Sequence, residues 1–488
     1  MKSSLFIFLL GLQLQVLAQF PTDMPYQSIN GTAPALPALN AFVTDQSVPD
    51  PVKITRITDF NAVWNWYPHH EYAKIQPWNA DGSIYKFYSV AIYDGQTHQM
   101  IRELPGGHIY PSYWSNTDPD IIYGFRENGD IKTYSVSNDL VSLRGHIYAD
   151  INNQTDFEVV KLGPGEGNID KNDHYVALIA KQAADMYVII YDLQQYQEVF
   201  RQVFPGAWGS GGTGAPQYVD WVSVSQSGNY VGIMWNHNNT SQTNPFNGHY
   251  GVEIYHTTDM QFLRRLTSYG NHGDFGYAAD GDEVFVQFWG PDGTINMYYL
   301  DRMERVVISN HNDFNGEGHI SCRNLNRPGW AYVSQDEAAR SGQIVAVKLD
   351  NSGLVEHFGH HFSTAASYLK SPMPCPNPDG NKIMFKSDFG DTNSDVIYVF
   401  EASLENANTI QSNAAPTCQV YPNPAKTFVY IHHLIDIDEI HLFNLQGQHI
   451  KTFNTGGKVF KKLDISDLKS GMYLISTGNG KPQWLSVQ

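Results

Sequence analysis

The stretch NHGDFGYAADGDEVFV, Asn271 to Val286, decides how the chain is read. His272 opens it, an Asp-Gly corner follows eight residues later at Asp280, and an alternating apolar run begins at Glu283. An Asx-Gly corner supplies the backbone geometry that joins two antiparallel strands, and alternation is the period of a half-buried strand. Six other stretches follow the same plan. They are HHEYAKIQPWNADGSIYKF from His69, GHIYPSYWSNTDPDIIYGF from Gly107, GEGNIDKNDHYVALIA from Gly165, PQYVDWVSVSQSGNYVGIMW from Pro216, GHISCRNLNRPGWAYVS from Gly318 and SPMPCPNPDGNKIMF from Ser371.

Measured at the corners Asp81, Pro119, Asn172, Ser227, Asp280, Pro328 and Asp379, the spacings are 38, 53, 55, 53, 48 and 51 residues. That is the period of a four-stranded propeller blade with loop insertions. One such unit cannot cover its two sheet faces, whereas seven in a closed circle bury them against one another. The fold class expected is therefore all-β: a seven-bladed β-propeller over residues 51–404 followed by a small β-sandwich. The repeat overrides the prior that 488 residues make several domains.

In a propeller the residues leading into each innermost strand face one central mouth. Here they are His70, His108, Glu166 or Asn168, Gln217, His272, His319 and the Ser371–Cys375 run. Connections between second and third strands share that face, which adds His237, His249 and Tyr250 from blade four. Any one histidine can be a hydrogen-bonded structural residue; recurrence in register is what points to a function.

Composition narrows the partners. A net charge of −18 argues against nucleic acid and anionic membrane surfaces. Met1 to Ala18, with a basic start, a short apolar core and small residues before Gln19, reads as a secretory leader. No later apolar run is long enough for a membrane span, and a soluble, secreted monomer is expected. Residues 19–50 form a Pro- and Ala-rich extension, and 405–417 a small, polar linker. Three cysteines, Cys322, Cys375 and Cys418, are too few to frame a disulfide-dependent fold.

GHISCRN places His319, Cys322 and Arg323 within five residues. With His272 and Cys375 these imidazoles and thiols suit a tetrahedral divalent metal, zinc foremost with calcium as the oxygen-ligated option. A Cys322–Cys375 disulfide and two inert thiols are the competing readings. Arg323 is a cation near the axis, suited to gripping a carboxylate or sulfate. Lys74, Tyr110, Trp114 and Tyr250 offer polar donors beside aromatic faces, as a sugar ring requires, although Trp78 and Trp114 fit blade packing equally well. Nothing resembles a serine-hydrolase elbow, a zincin helix, a Walker loop or a dinucleotide fingerprint, so no organic cofactor is expected. Paired carboxylates are plentiful enough to keep glycoside hydrolysis open.

Such a mouth has the parts for β-elimination on a uronic acid. A His or Tyr takes the weakly acidic C5 proton, a cation neutralises the charge gathering on the carboxylate, and an acid protonates the departing glycosidic oxygen. On this reasoning His70, His108 and His249 are the proton-transfer candidates and Arg323 the neutraliser.

The motifs HHEYAKIQPWNADG, HGDFGYAADGDEVFV, GHISCRNLNRPGW and SPMPCPNPDGNKIMFKSDF resemble those of secreted seven-bladed propeller polysaccharide lyases, the ulvan lyases foremost. The resemblance implies cleavage beside glucuronic or iduronic acid in a sulfated algal polysaccharide, leaving an unsaturated uronate. Oligogalacturonate lyases are the related second choice; where they carry a Gln and two His for a metal, this chain has Ser371, Met373 and Cys375. A non-catalytic, cell-surface glycan-binding propeller is the alternative from a different class. Residues 418–488, through VYPNPAKTFVYI, IHLFNLQGQHIKTF and LDISDLKSGMYLIS, resemble the C-terminal sorting domain of type IX secretion. That resemblance implies the secretion machinery as a partner and passage across the outer membrane.

Overall fold

The computed structural model describes residues 33–46, 51–58, 70–88, 90–236, 245–289, 294–308, 318–334, 342–350, 352–365, 367–391, 397–404, 419–421, 424–432, 439–455, 461–477 and 482–488. The expected leader, the linker, His69, His237 and Cys418 lie outside the described residues. Among those described, helix is confined to single turns, at Gly106–Ile109, Gly163–Gly165 and Tyr368–Lys370, and strands make up the regular structure.

The opening stretch folds as its pattern requires. Gly273–Tyr277 pairs antiparallel with Glu283–Trp289, Phe275 opposite Phe285. Gly281 closes the corner at φ +92°, donating its N–H to the Ala278 carbonyl at 3.0 Å; a side chain there would be strained. Thr294–Tyr299 and Arg305–Val307 complete that four-stranded sheet.

Among the described residues seven sheets of three to five strands follow one another before the C-terminal region, with a two-stranded hairpin of Tyr148–Asp150 and Thr155–Asp156 between the second and third. Blade one keeps three strands, its innermost segment reduced to the Trp78–Tyr85 bridge. Blades two to six have four strands each, and blade seven has five. In blade seven Tyr398–Leu404 pairs with Val52–Arg56, which pairs with Phe42–Asp45. Strands from the two ends of the repeat region thus share one sheet and close the ring. The extension expected over 19–50 therefore contributes its Phe42–Asp45 part to blade seven, a role its Pro-rich composition conceals.

Polar latches run across the seams between blades. Trp114 Nε1 donates to Pro77 O at 2.8 Å between blades one and two. Asp173 takes Ser115 Oγ at 2.5 Å and Thr117 Oγ1 at 2.6 Å between two and three. Ser227 bonds Glu283 between four and five, Arg323 bonds Asp274 between five and six, and Gln76 Nε2 reaches Pro376 O from one to seven. Paired in this way, buried polar groups avoid the cost of lost hydration.

In the C-terminal region, a three-stranded sheet of Gln419–Tyr421, Phe428–His432 and Lys461–Asp464 accompanies a four-stranded sheet centred on Glu439–Asn444 and Gly471–Ser476. Val429, Ile431, Ile440, Leu442, Leu463 and Leu485 form its own buried cluster, as two facing sheets should.

Candidate active site

A cavity of about 490 Å³ opens where the approaches to the inner strands meet the loops between second and third strands. Blade one supplies Glu71, Tyr72 and, from its second loop, Tyr88; blade two supplies Tyr110, Tyr113 and Glu127; blade three supplies Lys161 and Glu166. Tyr368, just ahead of blade seven, completes the rim. Tyr110 is 51% and Tyr368 66% exposed, so both present ring faces to solvent at the entrance. Such half-covered tyrosines suit the apolar face and hydroxyl rim of a sugar.

The blade-three wall is built by an excursion of the backbone. After Val159–Leu162 the chain turns through Gly163–Gly165 before rejoining the sheet at the Ile169–Val176 bridge. At Gly163, φ +37°, a Cβ would lie 2.1 Å from the Val222 carbonyl oxygen, so the excursion needs glycine there. The excursion carries Glu166 to the cavity, and the strand before it carries Lys161.

Beside the cavity the imidazoles of His272 and His319 stack at 4.5 Å. His272 Nδ1 lies 2.7 Å from Gly318 O, and His319 Nδ1 lies 3.1 Å from Ser371 Oγ. The Tyr72 ring meets His319 edge-on at 5.3 Å, and Tyr368 lies 6.0 Å from the same imidazole. Burial pushes the Tyr72 phenol well above its ordinary range, and the Glu166 carboxylate and hydrogen-bonded Tyr368 add to the shift. Tyr72 is therefore a phenol, a proton donor, at neutral pH.

Each carboxylate on the wall faces a lysine. Lys74 Nζ is 2.6 Å from Glu166 and 4.4 Å from the Trp221 ring centre. Lys86, fully buried, bonds Glu71, and Lys161 Nζ is 2.5 Å from Glu127. Burial pushes the Glu71 carboxyl up against the pull of Lys86. Asp220, next to Trp221 in the chain, is also raised, first by burial and then by Glu166, with Lys74 and His272 opposing.

The residues expected from sequence divide accordingly. Tyr110 lines the cavity, and Lys74 pairs with the lining residue Glu166. Of the four mouth histidines, His272 and His319 come together. His70 is fully buried with Nε2 2.5 Å from Met373 O, a contact between blades one and seven. His108 is exposed on the Gly106–Ile109 turn and is not part of the cavity wall.

The candidacy of His249 gives way to a structural role. Its Nδ1 is 2.7 Å from the buried Glu253, and its ring stacks on Trp235 at 4.4 Å. Tyr250 is covered by the Arg265 guanidinium, 3.4 Å from its ring centre, instead of facing a ligand. Trp114 is 3% exposed with its N–H spent on Pro77, so core packing takes it from the substrate. Arg323 is held by Asp274 at 3.0 and 3.1 Å and by Phe275 O, which removes its guanidinium from the role of neutraliser.

The expected metal quartet does not assemble. The His272 and His319 Nδ1 atoms are turned to Gly318 and Ser371, and Cys322 and Cys375 are free and buried. Burial pushes both thiols well up, so each is a protonated thiol at neutral pH. Among the described residues no three His, Cys, Asp or Glu side chains gather as a metal-binding group. The inert-thiol reading predicts that iodoacetamide leaves Cys322 and Cys375 unmodified in the native protein and labels both after denaturation. Peptide mass mapping checks this, and labelling of native Cys322 or a mass matching the disulfide overturns it.

Sequence reasoning passed over Tyr72, Glu71, Tyr368, Lys161 and Glu127. Glu71 and Tyr72 directly follow His70 and could have been found by carrying the mouth-facing stretch two residues further. Tyr368 sits in an inter-blade loop with no counterpart in the repeat.

Residues 419–486 match the family described as the secretion system C-terminal sorting domain. The match marks the chain for export by type IX secretion, and no helix among the described residues is long and apolar enough to cross a membrane. No curated protein matches the chain. Among solved structures, an oligogalacturonate lyase in complex with manganese is similar at 12% identity and a TM-score of 0.52, over 77% of this chain and 99% of that one. An oligogalacturonate lyase from Vibrio parahaemolyticus is similar at 11% identity and a TM-score of 0.51, with the same coverage. At these identities the likeness is one of fold.

Proposed function

We propose that this chain is an exported polysaccharide lyase that breaks an acidic, uronate-bearing glycan by β-elimination, with sulfated ulvan as the expected polymer. The observation that carries the reading is the tyrosine-rimmed cavity whose lining residue Tyr72, a buried phenol, packs at right angles to the imidazole of His319 beside it. Tyr72, kept protonated by its burial, is the donor to the departing glycosidic oxygen, and His319 is the proton acceptor of the site. Ser371, at the imidazole's Nδ1, fixes the ring's orientation. The likeness of fold to oligogalacturonate lyases is consistent with this chemistry but does not assign it.

A second reading rests on the same cavity. Glu71, with its raised carboxyl, and Glu166 both line it, the pairing that glycoside hydrolysis uses. The products separate the two. Incubation with ulvan, polygalacturonate and alginate is expected to raise ultraviolet absorbance from the unsaturated uronate in step with new reducing ends. Reducing ends without that absorbance favour hydrolysis. Saturable binding with unchanged chain length favours a non-catalytic glycan-binding propeller.

A further inference from the structure

Three lysine–glutamate pairs surround the cavity, and they differ in how readily a ligand can enter them. The Lys86 and Lys74 side chains are 0% and 4% exposed, and their partners Glu71 and Glu166 are 10% and 22% exposed. Separating either pair strands a buried charge, which is costly. Lys161 is 19% exposed while its partner Glu127 is 59% exposed. An ion pair with one arm in water contributes little and is readily exchanged for another anion.

The backbone around the third pair is fixed, so the exchange needs only a side-chain movement. Val160 donates its N–H to Glu127 O at 2.9 Å, tying the blade-two hairpin tip to the strand that carries Lys161. Gly129 and Arg126 close that tip through their own backbone bond at 2.9 Å. Arg126 Nη1 donates to Tyr110 O at 2.7 Å, which ties the exposed Tyr110 to the same hairpin.

We propose that Lys161 is the specificity anchor for an acidic group of the substrate, a carboxylate or sulfate, and that Glu127 occupies it in the free protein as an exchangeable stand-in. The inference rests on the acidic-glycan reading above. With Lys161 on the blade-three side of the cavity and Tyr72 on the blade-one side, the anchored group is assigned to a sugar next to the one that reacts. The site then selects an oligomer with an acid group on the neighbouring unit.

The two partners are expected to move affinity in opposite directions. With ulvan oligosaccharides in calorimetry, Lys161→Met weakens binding about ten- to a hundredfold, the loss of one charge-assisted contact. Lys161→Arg retains most of the affinity, which guards against a folding defect. Glu127→Gln removes the competitor and tightens binding by up to about fivefold. Desulfated and carboxyl-reduced fragments tell the two sources apart, since the derivative lacking the anchored group no longer distinguishes wild type from Lys161→Met. Wild-type affinity in Lys161→Met, or looser binding in Glu127→Gln, overturns the anchor while the lyase reading stands. If the wild-type protein neither binds nor cleaves any acidic glycan, the lyase reading falls and the anchor with it.

Discussion

Tyr72→Phe is expected to lower turnover on an acidic glycan by about a hundred- to ten-thousandfold, the usual contribution of a positioned proton donor. The substitution removes one oxygen and leaves the ring that packs edge-on to His319. Its hydrogen-bond partner Tyr368 is 66% exposed and can turn to water, so the cost to folding is small. Binding should stay near wild type, because the phenol acts mainly when the glycosidic oxygen leaves. The effect therefore belongs in kcat, with KM little changed. The raised phenol also sets the sign of any pH effect: Tyr72 stays protonated through neutral and mildly alkaline pH, so this donor does not limit the rate there. Turnover that survives Tyr72→Phe removes the proton-donor assignment. If Glu71→Gln or Glu166→Gln then abolishes activity, the hydrolytic reading takes its place.

The architecture was readable in the chain because a propeller repeats its turn chemistry. Asp280–Gly281 in one blade and Asp379–Gly380 in another mark the same corner, and strand patterns follow each. The ring closure was not readable, since Phe42–Asp45 and Tyr398–Leu404 lie far apart and neither strand's sequence names a partner. The site was legible only to the level of its neighbourhood. Register placed His272 and His319 at equivalent positions, and they do stack. Register could not say which way a side chain would turn, and His70, two residues from Tyr72, is spent between blades. Arg323 and Trp114 mislead for a common reason. A guanidinium or an indole looks chemical in a sequence, yet buried seams need such groups to satisfy carboxylates and carbonyls, here Asp274 and Pro77.

That seam role gives Arg323 its own test. Asp274→Ala is expected to destabilise the propeller by about 3–5 kcal/mol, the scale for breaking a buried pair from one side. Both side chains are almost wholly buried, at 4% and 2% exposure. Asp274 also accepts the Cys322 N–H at 2.8 Å, so its removal strands a backbone donor along with the guanidinium. Arg323→Lys should cost less than Asp274→Ala yet still be measurable, since an ammonium cannot reproduce the two-pronged contact with Asp274 and the bond to Phe275 O. Replacing both residues by apolar ones of similar volume, Asp274→Leu with Arg323→Met, should recover much of the loss, because neither charge is then left alone. Chemical denaturation followed by tryptophan fluorescence measures all three variants. The double replacement separates an electrostatic latch from a site that merely dislikes substitution. If Asp274→Ala unfolds at the wild-type denaturant midpoint, Arg323 is not holding blades five and six together, and its guanidinium becomes available again as a candidate for the chemistry at the mouth.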